Sequence, residues 1–315
     1  MAYKIAFMGT PAFAVPSLAG LWSAGYPVPA VITRPDRPAG RGKKLQISAV
    51  KRFALKHDLT VKQPSEIKNG ELVKILRDKG INCVVVVAYG RIIPLEVLAE
   101  YGCVNLHASL LPKYRGASPI NWAIVCGERE TGVTTMMISP QMDTGDILLQ
   151  EKLKIGATET AGSLHDRLAP LGARLLVKTL RGMEGGTVRP VPQDGSRATY
   201  CPLLKKSDGM IDWEKPAIEI NNLIRGLFPW PGTYTFHRGR RLVITSAQAV
   251  KRPADADRHP PGQLIRDCSA QALYAVTGDG WLLIERVKPE NRKEMSAQQF
   301  VSGVHNTLGM LTSIV

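Results

Sequence analysis

The sequence predicts an α/β protein in which an open, mainly parallel sheet is followed by a small β-barrel. Short apolar runs alternate with helix-like segments through the first half of the chain, which favours βαβ units. The segment INCVVVVAYG (81–90) is nearly continuous in valine, as expected for a parallel strand buried on both faces. Beyond Asp212, short strand-like pieces follow one another with glycine turns between them, which is typical of a barrel.

The elements of the first half follow in order from this alternation. Predicted strands cover 4–9, 27–33, 81–90, 103–109, 131–139 and 146–155. Predicted helices cover 14–24, 47–58, 66–80, 118–127 and 160–182, the last interrupted by Pro170. Strands separated by helices in this way pair in parallel through right-handed crossovers, so we expect an open sheet.

A change in composition after the long helix divides the chain. Residues 185–209 are rich in glycine, proline, serine and charge, which indicates a linker. We expect an N-terminal domain over 1–189, a linker over 190–207 and a C-terminal domain over 208–315, in keeping with a length of 315 residues. One helical segment, 213–227, precedes strand-like pieces at 232–237, 240–250, 261–267, 272–279 and 280–289.

Composition narrows the class of protein and its surroundings. The hydrophobic fraction is 44%, and no apolar run reaches the roughly 18–20 residues of a membrane-spanning helix. The N-terminus lacks a signal-peptide pattern. Five cysteines without a C-x-x-C pair argue against a disulfide framework and against a structural zinc site. We expect a cytoplasmic protein without a membrane partner.

The positive charge is concentrated in the first two thirds of the chain. The formal net charge is +14, of which residues 208–315 hold only +2 and residues 1–207 hold +12. An excess of this size favours polyanionic partners, although charge kept for solubility is the alternative.

Asn105 and His107 form a candidate catalytic pair at the end of the predicted strand 103–109. Their spacing of two places both side chains on one side of an extended segment. A carboxamide can donate to an oxygen that becomes negative during acyl transfer, and an imidazole moves protons near neutral pH. A histidine alone is more often structural.

A catalytic site of this kind also needs a carboxylate that orients or charges the histidine. The loop SPQMDTGDILL (139–149) carries Asp143 and Asp146 between two predicted strands. Taken alone, these aspartates fit an Asx-type turn bonded to nearby backbone. Because Asn105, His107 and Asp143 all lie near strand ends, they can converge in space, and we favour a catalytic site.

Two loops carry further candidate contacts. In SLLPKYRG (109–116), Leu110 and Leu111 either cap a core or line the apolar face of a ligand. The segment TRPDRPAGRGKKLQ (33–46) is strongly basic and predicts an exposed flexible loop, neither helix nor strand. It is either merely solvated or contacts phosphate, and we favour phosphate. MGTPAFA (8–14) is not G-x-G-x-x-G, so nicotinamide dinucleotide binding is unsupported.

Six sequence motifs, taken together, are specific enough to indicate a protein family. They are GTPAFA (9–14), PDRPAGRGKKL (35–45), VVVAYGRIIP (85–94), VNLHASLLPKYRGASPI (104–120), ETGVTTMMISPQMDTGDIL (130–148) and FPWPGTYT (228–235). Over essentially its whole length the chain resembles the methionyl-tRNA formyltransferase family. The resemblance implies a Rossmann-like catalytic domain and an OB-like C-terminal domain that binds tRNA. It also implies formyl transfer from 10-formyltetrahydrofolate to the amino group of methionyl-initiator tRNA, for translation initiation.

The resemblance assigns roles to individual residues. The catalytic residues are Asn105, His107 and Asp143; the folate contacts are Ser109, Leu110, Leu111 and Pro112; the acceptor-stem contacts are Arg37, Arg41, Lys43 and Lys44. Because the C-terminal domain carries little net charge, its candidate tRNA contacts are limited to two basic clusters. They are Arg238, Arg240 and Arg241, and Lys251 and Arg252. We expect a monomer that uses no metal.

Two other functions remain open on the sequence. One is a formyltransferase acting on a small amine, such as glycinamide ribonucleotide or an amino sugar nucleotide, because that chemistry needs the same triad. The other is a non-catalytic RNA-binding protein with the same fold. The basic loop and the C-terminal domain argue against the first, and turnover that depends on the triad would exclude the second.

Overall fold

The computed structural model describes residues 3–39, 44–67, 70–251, 259–267, 270–303 and 309–312. The chain divides into two compact units. The first comprises Met1–Pro119, Glu130–Lys154 and His165–Cys201, and the second comprises Ile120–Arg129, Ile155–Leu164 and Pro202–Val315. The predicted boundaries at 189 and 207 stay a prediction.

The elements alternate as expected in the first half and are mainly strands in the second. The strands are β1 (Ile5–Gly9), β2 (Ala30–Ile32), β3 (Arg37–Ala39), β4 (Lys44–Gln46), β5 (Val61–Lys62), β6 (Cys83–Val87), β7 (Gly102–His107), β8 (Arg115–Gly116), β9 (Glu130–Met137), β10 (Ile147–Lys154), β11 (Tyr200–Cys201), β12 (Thr233–His237), β13 (Arg240–Val250), β14 (Leu264–Asp267), β15 (Ala272–Val276), β16 (Trp281–Pro289), β17 (Met295–Ser296) and β18 (Leu311–Thr312). The helices are α1 (Val15–Ser23), α2 (Ala49–Lys56), α3 (Glu71–Asp78), α4 (Leu95–Glu100), α5 (Pro119–Val125), α6 (Ala161–Glu184), α7 (Ala217–Gly226) and α8 (Ala297–Ser302).

A mainly parallel sheet organises the first unit. Its strand order is β10-β9-β7-β6-β1-β2-β5, and β7, β6, β1, β2 and β5 pair in parallel. The strands β1 and β6 are buried along their whole length, which the valine run predicted for β6. At one edge β9 runs antiparallel to β7, and β10 runs antiparallel to β9. The predicted open, mainly parallel sheet is confirmed.

The basic segment 33–46 differs from its prediction. It contains two short strands, because β3 pairs antiparallel with β4 through Arg37 with Gln46 and Pro38 with Leu45. The prediction of neither helix nor strand was wrong here. A two-stranded ribbon leaves half of its backbone donors unpaired, so Pro38 is tolerated at such an edge. We call residues 37–46 the basic hairpin; residues 40–43 lie outside the described residues.

Two further elements differ from the expectation. Helix α6 runs without a break through Pro170, so the predicted interruption is absent. A proline removes one backbone hydrogen bond, which a long helix with buried apolar residues can tolerate. The short strands β8 and β11, which pair in parallel with each other, had no sequence signal.

An antiparallel sheet forms the second unit. Its strand order is β14-β15-β16-β13-β12-β18, with β17 paired to β16. Backbone hydrogen bonds from Leu264 N to Gly309 O (3.2 Å) and from Leu311 N to Gly262 O (2.8 Å) link its two edges. The sheet therefore curves back on itself around a core of apolar side chains from the strands, α7 and α8. The predicted strands agree closely with the observed ones, and the antiparallel C-terminal domain is confirmed.

Candidate active site

The candidate pair lies at the carboxyl end of β7. Asn105 pairs with Val86 of β6 on one side and with Met136 of β9 on the other, and His107 is the last residue of the strand. Leu106, between them, faces the core and packs so tightly that a Cβ on Gly172 would lie 2.6 Å from Leu106 Cδ2. Asn105 and His107 therefore share the opposite face, as their spacing predicted.

The His107 ring is buried and contacts two acceptors. Only 7% of the residue is exposed. Its Nε2 lies 2.9 Å from Tyr114 O, and its Nδ1 lies 3.7 Å from Asp143 Oδ2. A carbonyl oxygen only accepts, so the contact with Tyr114 places a proton on Nε2. A second proton, on Nδ1, would face the Asp143 carboxylate.

The Asp143 side chain reaches this site by an indirect route. Because β9 is antiparallel to β7, the loop after β9 leaves level with Val104 rather than at the carboxyl end of β7. It folds back along β7 until Asp143 faces His107. Asp143 has a left-handed backbone (φ 54°), and its Oδ2 accepts a 2.8 Å hydrogen bond from Gly116 N. This long-range bond replaces the local Asx turn that was the alternative.

The segment 109–113 is held rigidly by internal hydrogen bonds. Thr134 Oγ1 donates to Ser109 O (2.6 Å) and accepts from Leu111 N (3.2 Å) and Gln150 Nε2 (2.9 Å). The Ser109 hydroxyl donates to Lys113 O at 2.6 Å. Both Ser109 and Leu111 are buried, so this stretch is preorganised before any ligand arrives.

Four residues of this segment are candidate folate contacts, and they differ in accessibility. Leu111 packs inside the unit, whereas Leu110 and Pro112 are half-buried. Sequence reasoning missed Ile92, which follows β6 and is 80% exposed. Because β6 and β7 are parallel neighbours, Ile92 follows a strand that ends at the same sheet edge as β7.

Sequence reasoning also missed the contacts that Gln193 makes with the loop that carries Asp143. Gln193 Nε2 donates to Asp143 O (2.9 Å) and to Gly145 O (2.7 Å). Its Oε1 accepts from Arg115 Nη2 (2.8 Å) and Nε (3.2 Å). Gln193 stands in the predicted linker, and nothing in its local sequence signals contact with a residue 50 positions away.

Comparison with known proteins identifies the family of the chain. A model of the formyl transferase family matches residues 3–180, and a model of the formyl transferase C-terminal domain matches residues 203–305. The methionyl-tRNA formyltransferase of Caldanaerobacter subterraneus subsp. tengcongensis is 46% identical over 306 residues, which cover 96% of this chain and 97% of that protein. This chain belongs to the methionyl-tRNA formyltransferase family. It is therefore a formyltransferase, as the sequence motifs indicated.

Solved structures share the fold. The N-formyltransferase from Helicobacter canadensis, solved with folinic acid and dTDP-3-aminofucose, superposes with a TM-score of 0.67 at 20% identity. The match covers 94% of this chain and all of that one. HypX from Aquifex aeolicus gives a TM-score of 0.64 at 17% identity over 99% of this chain. The chain spans about half of HypX, 53% of its length.

The predicted tRNA contacts of this methionyl-tRNA formyltransferase family member lie partly on described residues. Arg37 is exposed on β3, and Lys44 begins β4; Arg41 and Lys43 fall outside the described residues. The base of the basic hairpin is anchored, because Asp36 bonds to Lys51 Nζ (2.5 Å) and Gln63 Nε2 (2.8 Å). These two donors hold the pKa of the Asp36 carboxyl below its usual range.

The C-terminal unit carries the second group of predicted basic contacts. Arg241 stacks over the Tyr234 ring at 4.0 Å from its centroid, a cation–π contact that keeps the guanidinium at the sheet surface. Arg238 and Arg240 are exposed beside it, and Lys251 is exposed at the end of β13. Arg252 lies outside the described residues.

Two further observations concern metals and membranes. Within the described ranges, no three side chains of the metal-binding types histidine, cysteine, aspartate and glutamate come together. None of the described helices combines the length and the apolar character that crossing a bilayer requires.

Proposed function

We propose that Asn105, His107 and Asp143 form the centre at which this enzyme transfers a formyl group from 10-formyltetrahydrofolate to the amino group of methionyl-initiator tRNA. The convergence of His107 with the Asp143 carboxylate beside Asn105 carries the proposal. Among the described residues the Asn105 carboxamide has no hydrogen-bond partner, although it is only partly exposed. An amide left free next to a buried imidazole suits binding of a substrate oxygen.

Each group has a distinct part in the reaction. Asn105 donates to the formyl oxygen as the α-amine attacks the formyl carbon and negative charge develops there. His107, with Nε2 bonded to Tyr114 O, places positive charge nearby when Nδ1 is also protonated. Asp143 orients the ring and stabilises that protonated form through its contact with Nδ1.

The proton balance follows from this arrangement. The new C–N bond forms as the amine loses one proton, and the bond to N10 of the folate breaks as N10 gains one. The Nδ1–Asp143 edge of the ring handles these protons. Alignment of amine and formyl carbon on a rigid site contributes much of the rate, up to roughly 7–11 kcal/mol in favourable intramolecular cases.

The folate is proposed to lie against the segment 109–112. Leu110 and Pro112 offer half-buried apolar surface, while Ser109 and Leu111 act through the backbone that they hold in place. Exposed Ile92 adds apolar surface at the carboxyl end of the neighbouring strand. A flat ring system with polar edges fits apolar walls beside a fixed backbone.

The tRNA is proposed to contact both units, and the acceptor stem is assigned to the basic hairpin. Arg37, Arg41, Lys43 and Lys44 supply the charge there, and arginine and lysine both suit phosphate oxygens. The C-terminal domain over 208–315, which we regard as an OB-like barrel, contributes the Arg238, Arg240 and Arg241 cluster. Residues 190–207 join it to the catalytic domain over 1–189.

The enzyme is proposed to act as a monomer in the cytoplasm, where charged initiator tRNA is used. The described cysteines Cys83, Cys103, Cys126 and Cys201 form no disulfide bond, which suits a reducing compartment. Burial raises the pKa of the Cys83 and Cys103 thiols to about 12, so they stay protonated and unreactive near neutral pH. The chemistry proposed here needs no metal.

A substrate comparison tests this function. Purified enzyme is assayed with 10-formyltetrahydrofolate and either charged initiator tRNA or glycinamide ribonucleotide. We expect formylation of the tRNA and none of the ribonucleotide; the reverse preference would contradict the proposal. The double variant Asn105→Ala, His107→Ala is expected to lose turnover by at least about 10²-fold. Undiminished turnover would show that the pair is not catalytic.

A further inference from the structure

The amide of Gln193 is fully bonded, which fixes its orientation. Both of its N–H groups have a carbonyl acceptor, Asp143 O at 2.9 Å and Gly145 O at 2.7 Å. Its oxygen faces two donors of the Arg115 guanidinium. Rotation of the amide by 180° would place its N–H groups against the Arg115 donors and its oxygen against the two carbonyl oxygens. Only one orientation of the amide therefore satisfies this network.

The partner of Gln193 is a buried cation held by neutral groups. Arg115 is 6% exposed, and among the described residues no carboxylate forms an ion pair with it. Its acceptors are Gln193 Oε1 and, at 3.4 Å, the Tyr200 hydroxyl. A buried guanidinium is costly unless it is hydrogen-bonded, so Arg115 and Gln193 depend on each other.

The residues on either side of Arg115 contact His107 and Asp143. Tyr114 O is the acceptor for His107 Nε2, and Gly116 N is the donor to Asp143 Oδ2. The three consecutive residues 114–116 thus hold the His107 imidazole, the Asp143 carboxylate and, through Arg115, the Gln193 amide. This segment is itself paired with β11, where Gly116 approaches Cys201 so closely that a Cβ on Gly116 would lie 2.3 Å from Cys201 O.

The Asp143 loop has little freedom, and Gln193 supplies two of its anchors. Asp143 is held at φ 54°, a conformation that non-glycine residues adopt only when their surroundings require it. A Cβ on Gly145 would lie 1.8 Å from Met137 O, so the loop passes directly over β9. Bonds from Gln193 to the carbonyls of Asp143 and Gly145 therefore fix the loop on both sides of residue 144.

We propose that Gln193 is a positioning residue that sets the Asp143 carboxylate against His107 Nδ1. The inference rests on the proposed function, because it concerns the geometry of that site. The Nδ1–Oδ2 separation is 3.7 Å, longer than a hydrogen bond, so a small movement of the loop decides whether a hydrogen bond forms. Loss of Gln193 leaves two carbonyls without donors and releases the loop, while the folate and tRNA surfaces stay in place.

The test is a double-mutant cycle with Asp143. The variants are Gln193→Met, which keeps the length of the side chain and removes its polar atoms, and Asp143→Asn, alone and combined. Single-turnover formylation, KM for folate and for tRNA, and thermal unfolding are measured for each. Val191→Ala is the matched control, because Val191 lies in the same segment with an exposed side chain and bonds to Ile147 through backbone only.

We expect Gln193→Met to lower kcat by about tenfold to 10²-fold with both KM values within about twofold of the wild type. In the Asp143→Asn background the same change is expected to lower kcat by less than about twofold, because the carboxylate that it positions is gone. Val191→Ala is expected to match the wild type. An equal loss of kcat in both backgrounds, or no loss in either, would overturn the positioning role.

The design separates this inference from the proposed function. If Asp143→Asn alone leaves turnover unchanged, the catalytic assignment of Asp143 fails; if it is impaired but the two changes multiply, only the role of Gln193 fails. Should Gln193→Met unfold below the assay temperature, Gln193→Glu takes its place in the cycle. It keeps an acceptor for Arg115 but opposes the two loop carbonyls, so the same loss of kcat and the same coupling to Asp143 are expected.

Discussion

Two loops that follow parallel strands of the same sheet are built in opposite ways. The segment 108–116 after β7 is buried or half-buried except at Lys113, and it forms hydrogen bonds with β9, β10 and the segment after α6. The basic hairpin after β2 is exposed at residues 37, 38, 45 and 46 and is anchored at its base by Asp36. Reacting groups need a fixed geometry, whereas a large polyanion needs accessible charge. The proposed catalytic groups and the proposed tRNA contacts thus belong to loops that differ in rigidity and exposure.

The difference also shows in where the polar groups find partners. Thr134 bonds to Ser109, Leu111 and Gln150 inside the protein, so its removal leaves buried groups unsatisfied. Arg37 makes no ion pair with any described residue and is exposed, so its removal costs the folded chain little. The two regions are expected to respond to substitution in different measurements, stability and turnover for the first and tRNA affinity for the second.

The largest effect is expected from Asp143→Asn. Asparagine keeps an oxygen acceptor for Gly116 N but removes the charge that faces His107, so turnover should fall by about 10²–10⁴-fold. Folate binding should stay within about twofold, and rapid-quench formylation with equilibrium folate titration checks both. Asp146→Asn is the control, because that carboxylate lies in the same loop without contact to the ring. Equal losses in the two variants would mean that loop charge, not the Asp143 contact, matters.

Thr134→Val should disturb the rigid region next most. The hydroxyl is fully buried. Its loss leaves Ser109 O and Leu111 N without their hydrogen-bond partner, so the free energy of unfolding should drop by about 1–3 kcal/mol. Folate KM should rise as the segment loosens. Thr131→Val on the same strand serves as the control, because the Thr131 hydroxyl has no hydrogen bond among the described residues. Denaturant titration and folate-dependent kinetics are the measurements, and an unchanged folate KM would argue against preorganisation.

The sequence predicted the regular part of the site better than its connections. Hydrophobic pattern alone located β6, and period-two spacing placed Asn105 and His107 on one face of β7. In the C-terminal unit β13 has the predicted bounds, 240–250, because turn-forming residues bound a continuous run that is rich in strand-forming residues. These are local properties, and each can be inferred from a window of ten residues or so.

The rest of the site depends on contacts that no local pattern encodes. Gly116 and Asp143 are 27 positions apart, and Gln193 is 50 positions from Asp143. The strands β8 and β11 have two residues each, too few for any alternation to show. The hairpin β3–β4 contains Pro38, which argues against a strand wherever both edges are paired. Long-range pairing, not propensity, decides such elements.

Arg37→Gln examines the exposed region with little effect on the fold. Removing one phosphate contact should weaken tRNA binding severalfold and reduce the slope of log affinity against log salt by about one unit. Turnover at saturating tRNA should be unchanged, since the residue does not touch the site. Arg52→Gln, an exposed arginine on α2, is the matched control. Identical salt slopes in the Arg37 variant and the wild type would mean that Arg37 is merely solvated.

The smallest effect is expected from Asp36→Asn, and its sign is informative. Removing an acid makes the protein more positive, so simple electrostatics predicts tighter tRNA binding. If the anchor to Lys51 and Gln63 directs the basic hairpin, affinity should instead fall by about twofold to threefold. Because the pKa of Asp36 is lowered in the folded protein, its stabilising contribution is present above its usual pKa of about 3.9 and is lost as pH falls through the lowered value. The ratio of wild-type to variant tRNA affinity should therefore stay constant from about pH 5 to pH 8. Tighter tRNA binding by the variant would show that the hairpin acts through charge alone.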